Sequence, residues 1–402
     1  MAPLDFKNGP LADLRVIEMG TLLAGPFCGQ ILGDMGAEVI KVEPPDQGDP
    51  MRVWGRQKQG EPSLWWPVLA RNKKAVTLDL RQPEGQQLLR ELVGQADFLL
   101  ENFRPGTMEK WGLGWSELNA INPRLIMIRV SGFGQTGPYS RQAGFGAIGE
   151  AMGGLRYVVG DPSTPPSRMG ISIGDSLAAT FAAIGALSAL HYRDRTGRGQ
   201  VVDSAIYEAV LNMMESLITE YDKTGFIRER TGAILPNVAP SNVYPTADGL
   251  VLIAANQDTV FSRLCDAMGR TDLPASPRYN SHQARGAHQQ ELDDLISDWT
   301  RGLTTRQVLD LMDRHGVPAG QIYRAPEMLG DPHFRARDSI ITVEHPQFGR
   351  LRMQNVAPKL SETPGSVRRP SPGLGQHNDE VYLGLLGMAP ERYARLRGKK
   401  VI

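Results

Sequence analysis

Two short apolar runs flank a glycine-containing turn near the start of the chain: Leu14-Arg15-Val16-Ile17-Glu18-Met19, then Gly20-Thr21-Leu22-Leu23-Ala24-Gly25-Pro26, and then Ala37-Glu38-Val39-Ile40-Lys41-Val42. β-Branched residues are concentrated in both runs, and a helical pattern through Gln30-Ile31-Leu32 separates them. This order predicts a strand, a helix and a second strand, the unit from which parallel sheets are built.

The same alternation continues over the following hundred residues. The sequence predicts strands at Ala75–Leu80, Asp97–Leu100 and Leu125–Val130, with a helix over Gln86–Gly94. We therefore expect an α/β fold with a mostly parallel, doubly wound sheet, which binds ligands at the carboxyl ends of its strands. An Ala-rich helix over Ile171–Tyr192 follows, and then a helix over Ile206–Ile218.

The character of the sequence changes beyond Gly225. The composition predicts a loop over Arg230–Asp248 and then, in order, one strand and three amphipathic helices: Leu250–Ala255, Val260–Met268, Gln290–Thr300 and Thr305–His315. This segment indicates a second, smaller α/β domain. A pair of strands between Ile340 and Leu360 and a Pro-rich coil to Pro372 complete the prediction.

Length and charge restrict the class of protein. The chain has 402 residues, enough for at least two domains, and its 44 basic and 44 acidic residues give a formal net charge of zero. A nucleic-acid partner would require a basic surface, so a small-molecule ligand fits better. The two cysteines, Cys28 and Cys265, are too few for a disulfide framework and favour a reducing compartment.

The chain has no predicted targeting or membrane segment. Its first residues lack the basic and apolar regions of a signal peptide. The longest uncharged runs, Met19–Gly33 and Ser176–Tyr192, are shorter than a bilayer span. We expect a cytoplasmic protein without membrane contact.

The usual phosphate-binding and metal-binding motifs are missing. The turn Gly20–Pro26 has neither a Walker Gly-Lys-Ser/Thr nor dinucleotide-binding glycine spacing, so it could equally be a plain turn before a helix. None of the seven histidines forms a metal-binding pair, and we expect no metal site. His377, in Gly375-Gln376-His377-Asn378, is expected in a surface or turn position.

Two segments could carry chemistry. Asp175 precedes seventeen uncharged helix-forming residues, so we expect it at a helix N-terminus, where free amides stabilise negative charge. An ordinary N-cap aspartate, worth about 1 kcal/mol, fits the same position. The segment Glu101–Lys110 follows a strand and contains an aromatic, an amide and two cations, so it could bind a phosphorylated ligand or be a polar loop.

Taken together, these segments resemble the class III CoA-transferase family, which includes formyl-CoA:oxalate and carnitine CoA-transferases. The resemblance runs from about residue 11 to residue 380 and combines many motifs in one order. The matching stretches are Leu14–Glu18, Ala24–Pro26, Gly36–Glu43, Asn72–Lys74, Glu101–Gly106, Ser131–Gly134, Gly174-Asp175, Thr196–Gln200, Gly316–Gly320 and Leu374–His377.

The resemblance implies a mechanism and a set of site residues. Asp175 falls at the family's nucleophilic aspartate, which attacks an acyl-CoA thioester to give a mixed anhydride and then an aspartyl-CoA thioester. CoA and acyl-CoA enter as substrates, with carboxylic acids as acceptors and no tightly bound cofactor. The expected CoA contacts are Leu22, Leu23, Ala24, Leu78, Asn102, Phe103, Arg104 and Lys110.

One expected phosphate ligand is missing. Formyl-CoA transferases carry an arginine where Pro44 follows Glu43 in this chain. The candidates to replace it are Arg71, Lys73 and Arg104, each of which could instead be a solvated surface charge.

The resemblance also implies a fold and an assembly. A large Rossmann-like domain is built from both chain ends, with a smaller α/β domain inserted between them. We assign residues 1–222 to the N-terminal part of the large CoA-binding domain. Residues 223–331 form the small domain with its linkers, and residues 332–402 return to the large domain. Two such subunits interlock as a homodimer.

Two alternatives to CoA transfer remain. α-Methylacyl-CoA racemases belong to the same family but carry Ala-Gly-His-Asp where this chain has Ala143-Gly144-Phe145-Gly146, and phenylalanine cannot transfer a proton. The other alternative is an acyl-CoA-binding protein without turnover. CoA transfer is therefore preferred.

The substrates are expected from the same resemblance. The pattern is most similar to members that use succinyl-CoA and a dicarboxylic acid such as glutarate, itaconate or mesaconate. Arg141 or Arg168 could pair with a distal carboxylate. Residues 225 to 260 lack the glycine-rich catalytic loop of formyl-CoA transferases, which disfavours oxalate as the acceptor.

Overall fold

The computed structural model describes residues 9–56 and 61–402. Its strands are β1 (Arg15–Glu18), β2 (Glu38–Glu43), β3 (Lys73–Thr77), β4 (Phe98–Glu101), β5 (Ile126–Ser131), β6 (Val201–Ala205), β7 (Ser241–Pro245), β8 (Leu250–Ala254), β9 (Ala319–Gln321), β10 (Ile340–His345) and β11 (Gly349–Gln354).

Helices of very different length connect these strands. They are α1 (Ala24–Asp34), α2 (Trp66–Leu69), α3 (Pro83–Val93), α4 (Thr107–Lys110), α5 (Trp115–Ile121), α6 (Gly146–Met152), α7 (Leu155–Val158), α8 (Ile173–Thr196), α9 (Ile206–Leu211), α10 (Leu217–Thr224), α11 (Asp258–Met268), α12 (His282–Ala287), α13 (Gln289–Arg301), α14 (Thr305–His315), α15 (Ala325–Gly330), α16 (Pro332–Ala336) and α17 (Pro390–Gly398). A π-helix spans Asp379–Leu385.

The predicted parallel sheet is confirmed. Strands β1 to β6 form one sheet in the order β3-β2-β1-β4-β5-β6, and every neighbouring pair is parallel. The order reverses between β1 and β4, so the loops after these two strands diverge and leave a crevice at the carboxyl edge. Seven of the eight predicted CoA contacts follow these two strands, and the eighth, Leu78, follows β3.

Helices cover both faces of this sheet. On one face, Leu88, Leu89 and Leu92 of α3 are fully buried against the sheet, because leucines spaced by three and four residues share one side of a helix. On the other face, α1 and α8 pack on β1, β4 and β5. Because both faces are covered, the middle residues of the strands, such as Val16-Ile17 of β1 and Leu99-Leu100 of β4, are apolar and buried.

Helix α8 is long and apolar. By length and composition it could span a bilayer: it has 24 residues, and the mean hydropathy of its best window is 1.5. The helix is longer than the uncharged run Ser176–Tyr192, because it also includes Ile173–Asp175 and Arg193–Thr196. Its buried alanines, from Ala178 to Ala189, lie in the core beside α1 and β5, as in a core helix of a globular protein. The absence of membrane contact stays a prediction.

The described chain divides into two compact units. The first comprises residues up to Leu155, Met169–Leu217 and Arg335–Ile402, and it holds the six-stranded sheet and the β10–β11 hairpin. The second comprises Arg156–Arg168 and Ile218–Phe334. It has the antiparallel sheet β7-β8-β9, and helices α11, α13 and α14 bury one apolar face each in its core.

Two sequence-based predictions of secondary structure are wrong. The predicted loop Arg230–Asp248 contains strand β7, because Tyr244 is fully buried and donates a hydrogen bond of 2.5 Å to Asp293 of α13. The predicted helix Ile206–Ile218 ends at Leu211, and α10 begins only at Leu217. Between them Glu215 has a positive φ of 52°, which a continuous helix excludes.

The C-terminal segment covers the free edge of β3. The Ala75 N–H donates to His377 Nδ1 at 3.1 Å, and the Thr77 N–H donates to Asn378 Oδ1 at 2.9 Å. The His377 N–H returns a bond to the Ala75 carbonyl at 2.9 Å. These side chains satisfy donors that an edge strand would expose. His377 does lie in a turn, as one of the two expected positions had it, but the surface position is wrong, because its ring is buried against β3.

His377 gives a pH-dependent prediction. Burial, reinforced by the nearby Arg369, lowers its pKa, so its contribution to stability is complete above the ordinary value of about 6.5 and is lost as the pH falls below it. We expect His377→Ala to lower the free energy of unfolding by roughly 1–3 kcal/mol near neutral pH, because the Ala75 N–H loses its acceptor.

Urea unfolding at about pH 7.5 and about pH 5.5 measures this effect. We expect His377→Ala to cost less free energy of unfolding at the lower pH. Protonation of His377 already destabilises the parent protein there, so the substitution removes less. The exposed His333→Ala is the matched control. An equal loss at both pH values would contradict the role of the neutral ring.

Candidate active site

The loop after β1 lies at the point where the strand order reverses. Asn102, which follows β4, holds this loop with two bonds: the Thr21 N–H donates to Asn102 Oδ1, and Asn102 Nδ2 donates to the Thr21 carbonyl, both at 2.9 Å. The next residue, Leu22, has a positive φ of 62°, a conformation that few side chains adopt. The loop is therefore held in one particular shape at the carboxyl edge.

A cleft of about 310 Å³ opens beside this loop and is called here the sheet-edge cleft. Its walls include Thr21, Leu78, Phe103 and Trp111. The Phe103 and Trp111 rings meet edge to face with centroids 5.4 Å apart. A hydrogen-bonded Arg81 lowers the pKa of Asp79 at the rim to about 2. The cleft combines an aromatic wall with a charged rim, a lining that is typical of small-molecule sites.

A second cavity, of about 730 Å³, follows β4 and β5 and is called the cationic cavity. Arg104, Lys110, Arg129 and Arg141 all line it. Arg129 is paired with Glu101 and Glu109, at 2.7 Å to each carboxylate. Arg104, Lys110 and Arg141 are exposed at the wall, so their charges face the space where an anion would bind.

Asp175 lies in the first turn of α8. Its carboxylate is packed against Gly146, the first residue of α6, so closely that a Cβ on Gly146 would lie 2.4 Å from Asp175 Oδ2. A Cβ on the adjacent Gly174 would likewise lie 3.0 Å from the Glu150 side chain. Two glycines thus allow α6 and α8 to meet with the half-buried Asp175 carboxylate between them. The first-turn amides of α8 favour negative charge at this place.

A third cavity, of about 640 Å³, is mostly apolar and is called the apolar cavity. Leu23 of the β1 loop and Phe27 of α1 line it, and so do Ser172 and Ser176, which flank Asp175 in sequence. One end of the β1 loop therefore borders this cavity, and Thr21 at the other end borders the sheet-edge cleft. The loop bridges the two spaces.

The structure places the predicted residues at one edge of the sheet but in different spaces. Leu78 and Phe103 line the sheet-edge cleft, Arg104 and Lys110 the cationic cavity, and Leu23 the apolar cavity. The linings of these three spaces do not include the others: Leu22 and Asn102 shape the β1 loop, Ala24 is the first residue of α1, and Asp175 is the third residue of α8.

Two candidates for the missing phosphate ligand are wrong. Arg71 is buried and donates to Asp34 through both Nε and Nη2, with the shortest bond 2.6 Å. Lys73 is fully buried, 2.7 Å from Glu18 Oε2 and 2.7 Å from the Pro26 carbonyl. Neither side chain reaches solvent, so neither is a surface charge or a phosphate ligand. Arg104 stays a candidate because it lines a cavity.

Sequence reasoning missed a buried charge cluster beneath the β1 loop. Lys41 Nζ lies 3.0 Å from Glu18 Oε1 and 2.8 Å from Asp49 Oδ2, with all three side chains at most 1% exposed. Glu43 pairs with Arg52 beside them. A signal was present: lysine and glutamate stand within Glu38–Glu43, a strand of a sheet that is covered on both faces and should be apolar.

An α/β sheet with its ligand spaces at the strand-order reversal defines a ligand-binding enzyme domain of the doubly wound class. Comparison with known proteins is more specific: residues 11–378 match the model of CoA-transferase family III. The chain belongs to this family and is a family III CoA-transferase.

Three relatives illustrate the similarity. The chain is 64% identical to a succinyl-CoA–D-citramalate CoA-transferase of Chloroflexus aurantiacus, covering 98% of each chain. It is 43% identical to the β subunit of a succinyl-CoA–L-malate CoA-transferase of the same organism, again covering 98% of each. Its fold matches the crystal structure of a CaiB/BaiF family protein from Brucella suis, with 32% identity, a TM-score of 0.83, and coverage of 98% and 100%.

The contact between Gly146 and Asp175 gives a direct prediction. In Gly146→Ala the new methyl group must displace the Asp175 carboxylate, which lies 2.4 Å from the position of the added Cβ. We expect kcat for CoA transfer to fall ~100-fold, because catalysis is sensitive to displacements of about 1 Å.

Steady-state kinetics and thermal melting of the same preparations test this prediction. Gly398→Ala is the control, because an added Cβ there meets nothing within 4 Å. A Gly146→Ala enzyme with the parent kcat would show that the Asp175 position does not matter for the reaction.

Proposed function

We propose that this enzyme transfers CoA from succinyl-CoA to D-citramalate, or to a closely related dicarboxylate, through covalent intermediates on Asp175. The observation that carries the proposal is the placement of the Asp175 carboxylate in the first turn of α8, against Gly146. The substrates are taken from the relatives, one of which is 64% identical over almost the whole chain.

The three spaces at the sheet edge suit three parts of an acyl-CoA. The base would pack on Phe103 in the sheet-edge cleft, and the phosphates would pair with Arg104 and Lys110 in the cationic cavity. The uncharged pantetheine arm would follow the loop Leu22-Leu23-Ala24 along the apolar cavity and bring the thioester to the start of α8. Arg104 would bind the phosphate in place of an arginine at the Pro44 position.

The first half of the reaction moves CoA onto the enzyme. A carboxylate oxygen of Asp175 attacks the thioester carbon, the C–S bond breaks, and a mixed anhydride and CoA thiolate result. The thiolate then attacks the aspartyl carbonyl carbon. Succinate leaves with the oxygen that Asp175 supplied, and an aspartyl-CoA thioester remains.

The second half repeats these steps in reverse order with the acceptor. Its carboxylate attacks the aspartyl thioester and expels the thiolate, which then attacks the acceptor's acyl carbon. The acceptor leaves as its CoA thioester, and Asp175 regains an oxygen from the acceptor. No water, oxidant or metal enters the balance, so the reaction needs no tightly bound cofactor. Exclusion of water protects each activated carboxyl from hydrolysis.

The dicarboxylate acceptor needs a partner for its second carboxylate. Arg141 is exposed at the cationic cavity and can pair with phosphate or carboxylate. Arg168 is the other candidate that the sequence offers. Both D-citramalate and L-malate, which the relatives' names give as acceptors, are short dicarboxylates. This chemistry supports an acceptor of the same size.

We further propose that the active enzyme is an interlocked, cytoplasmic homodimer. Apolar side chains on α8 are exposed, with Ile184 55% and Leu187 43% accessible, and a second subunit would cover them. Residues 1–222 and 332–402 would form the large CoA-binding domain, and residues 223–331 the inserted small domain. Sedimentation at micromolar concentration tests the assembly, and a monomer with full activity would exclude it.

The reaction itself is tested with acyl-CoA donors and a panel of acids. Mass spectrometry of mixtures of succinyl-, acetyl- or formyl-CoA with mono- and dicarboxylic acids should detect citramalyl-CoA from succinyl-CoA and D-citramalate. Asp175→Asn keeps the shape but removes the nucleophile, and we expect it to lose at least ~1,000-fold in rate. An Asp175→Asn enzyme with the parent rate would overturn the mechanism. Exchange of the proton beside the thioester of a 2-methylacyl-CoA, without any acid acceptor, would favour the racemase.

Phosphate recognition is tested with a truncated donor. We expect Lys110→Ala to raise KM for succinyl-CoA ~10-fold, because the substitution removes a charge-assisted bond to phosphate. KM for succinyl-pantetheine, which has no nucleotide, should be unchanged by the same substitution. Equal effects on both donors would show that Lys110 does not contact the phosphates.

A further inference from the structure

A buried ion pair holds the β1 loop from below. Asp49 Oδ1 accepts the Leu22 N–H at 3.0 Å, and Lys41 Nζ donates to the Gly20 carbonyl at 2.7 Å. The two side chains contact each other at 2.8 Å. A single ion pair thus binds the loop on both sides of Thr21, at the Gly20 carbonyl and at the Leu22 N–H.

The backbone conformation of Leu22 explains why the loop needs these hydrogen bonds. Leu22 has a φ of 62°, a left-handed conformation that persists only where the surroundings impose it. Asn102 binds both backbone groups of Thr21, but the Leu22 N–H is bound by Asp49. The Asp49 side chain therefore holds the strained residue itself.

The ion pair is part of an electrically balanced cluster. Glu18 lies between Lys41 and Lys73, so two carboxylates face two ammonium groups with almost no exposure. Burial disfavours charge on Lys41, but Glu18, Asp49 and Glu43 outweigh it and raise the pKa of Lys41. Burial also opposes charge on Asp49, yet Lys41 keeps its pKa below the ordinary value. Both directions favour the charged forms of Lys41 and Asp49, which are the forms that make the ion pair.

The loop is also the bridge between two substrate spaces. Thr21 lines the sheet-edge cleft, and Leu23 lines the apolar cavity together with Ser172 and Ser176, the neighbours of Asp175. If Leu22 leaves its left-handed conformation, these two ends shift relative to each other. The nucleotide would still bind, but the thioester would no longer be aligned with the nucleophile.

We propose that Asp49 and Lys41 are positioning residues for the thioester: they fix the Gly20–Leu23 loop so that an acyl-CoA bound in the sheet-edge cleft presents its thioester to Asp175. The inference rests on the proposed function, because it takes the loop as the path of the pantetheine arm. Neither side chain reaches the substrate, and both act through the backbone of the loop.

The test removes both charges together. Asp49→Ala combined with Lys41→Met leaves no unpaired buried charge from this pair, and methionine keeps most of the lysine volume. The Glu18–Lys73 pair stays in place. The matched control is Asp97→Ala with Arg193→Met, a partly buried ion pair (2.7 Å) whose carboxylate likewise accepts a backbone N–H, that of Arg15. The control pair lies at the opposite edge of the sheet.

Two readouts separate positioning from folding. Hydrogen exchange of the peptide covering residues 19–30, which excludes the Arg15 N–H that the control substitution affects, should accelerate in the Asp49/Lys41 double variant and not in the control. In folded protein, kcat should fall ~100-fold while KM for the acyl-CoA stays within about threefold, because the substitutions disturb alignment and not nucleotide binding. A double variant with the parent kcat, or with unchanged exchange of this peptide, would overturn the proposal.

The design also separates this inference from the proposed function. If the parent enzyme transfers no CoA, the proposed function fails, whereas the loop exchange and calorimetric binding of free CoA still report whether the ion pair holds the loop. If the double variant does not fold, Asp49→Leu combined with Lys41→Met gives the same comparison, since leucine fills the space that alanine leaves and likewise cannot accept the Leu22 N–H. The same two readouts then decide.

Discussion

The reversal of strand order between β1 and β4 is the constraint on which the rest of the structure depends. In a sheet whose six strands are all parallel, every carboxyl end lies at one edge, and only at the reversal do consecutive loops turn away from each other. The two hydrogen bonds between Asn102 and Thr21 connect the loops that follow β4 and β1 at this reversal. The proposed substrate spaces open on either side of the β1 loop, and α8 brings Asp175 to the same part of the molecule.

Much of the fold could be predicted because local patterns determine it. The strands of the parallel sheet are short runs of β-branched residues, and α3, α11 and α14 have regular apolar faces, so their positions follow from periodicity. Strand β7 could not be predicted, because its burial depends on Tyr244 reaching Asp293 49 residues away. The role of His377 was hidden for the same reason, since its partner Ala75 is distant in sequence.

The candidate site, like the fold, could be predicted only where local sequence determines it. Asp175 could be placed at a helix start from local sequence, and the resemblance to a family gave it a role. The roles of the basic residues were harder to predict, because the sequence does not show whether a lysine or arginine is solvated or buried. Arg71 and Lys73 are buried in ion pairs, whereas Arg104 and Lys110 line a cavity. Only the tertiary structure decides which charges remain for a ligand.

The central claim is that Asp175 carries the transferred group, and tracing of oxygen atoms tests it most directly. The enzyme is supplied with succinyl-CoA and with D-citramalate labelled with oxygen-18 in its carboxylates. The account predicts that the label enters the Asp175 carboxylate and then appears in released succinate, because each turnover returns an acceptor oxygen to the aspartate. Formation of citramalyl-CoA with no label in Asp175 or in succinate would contradict it.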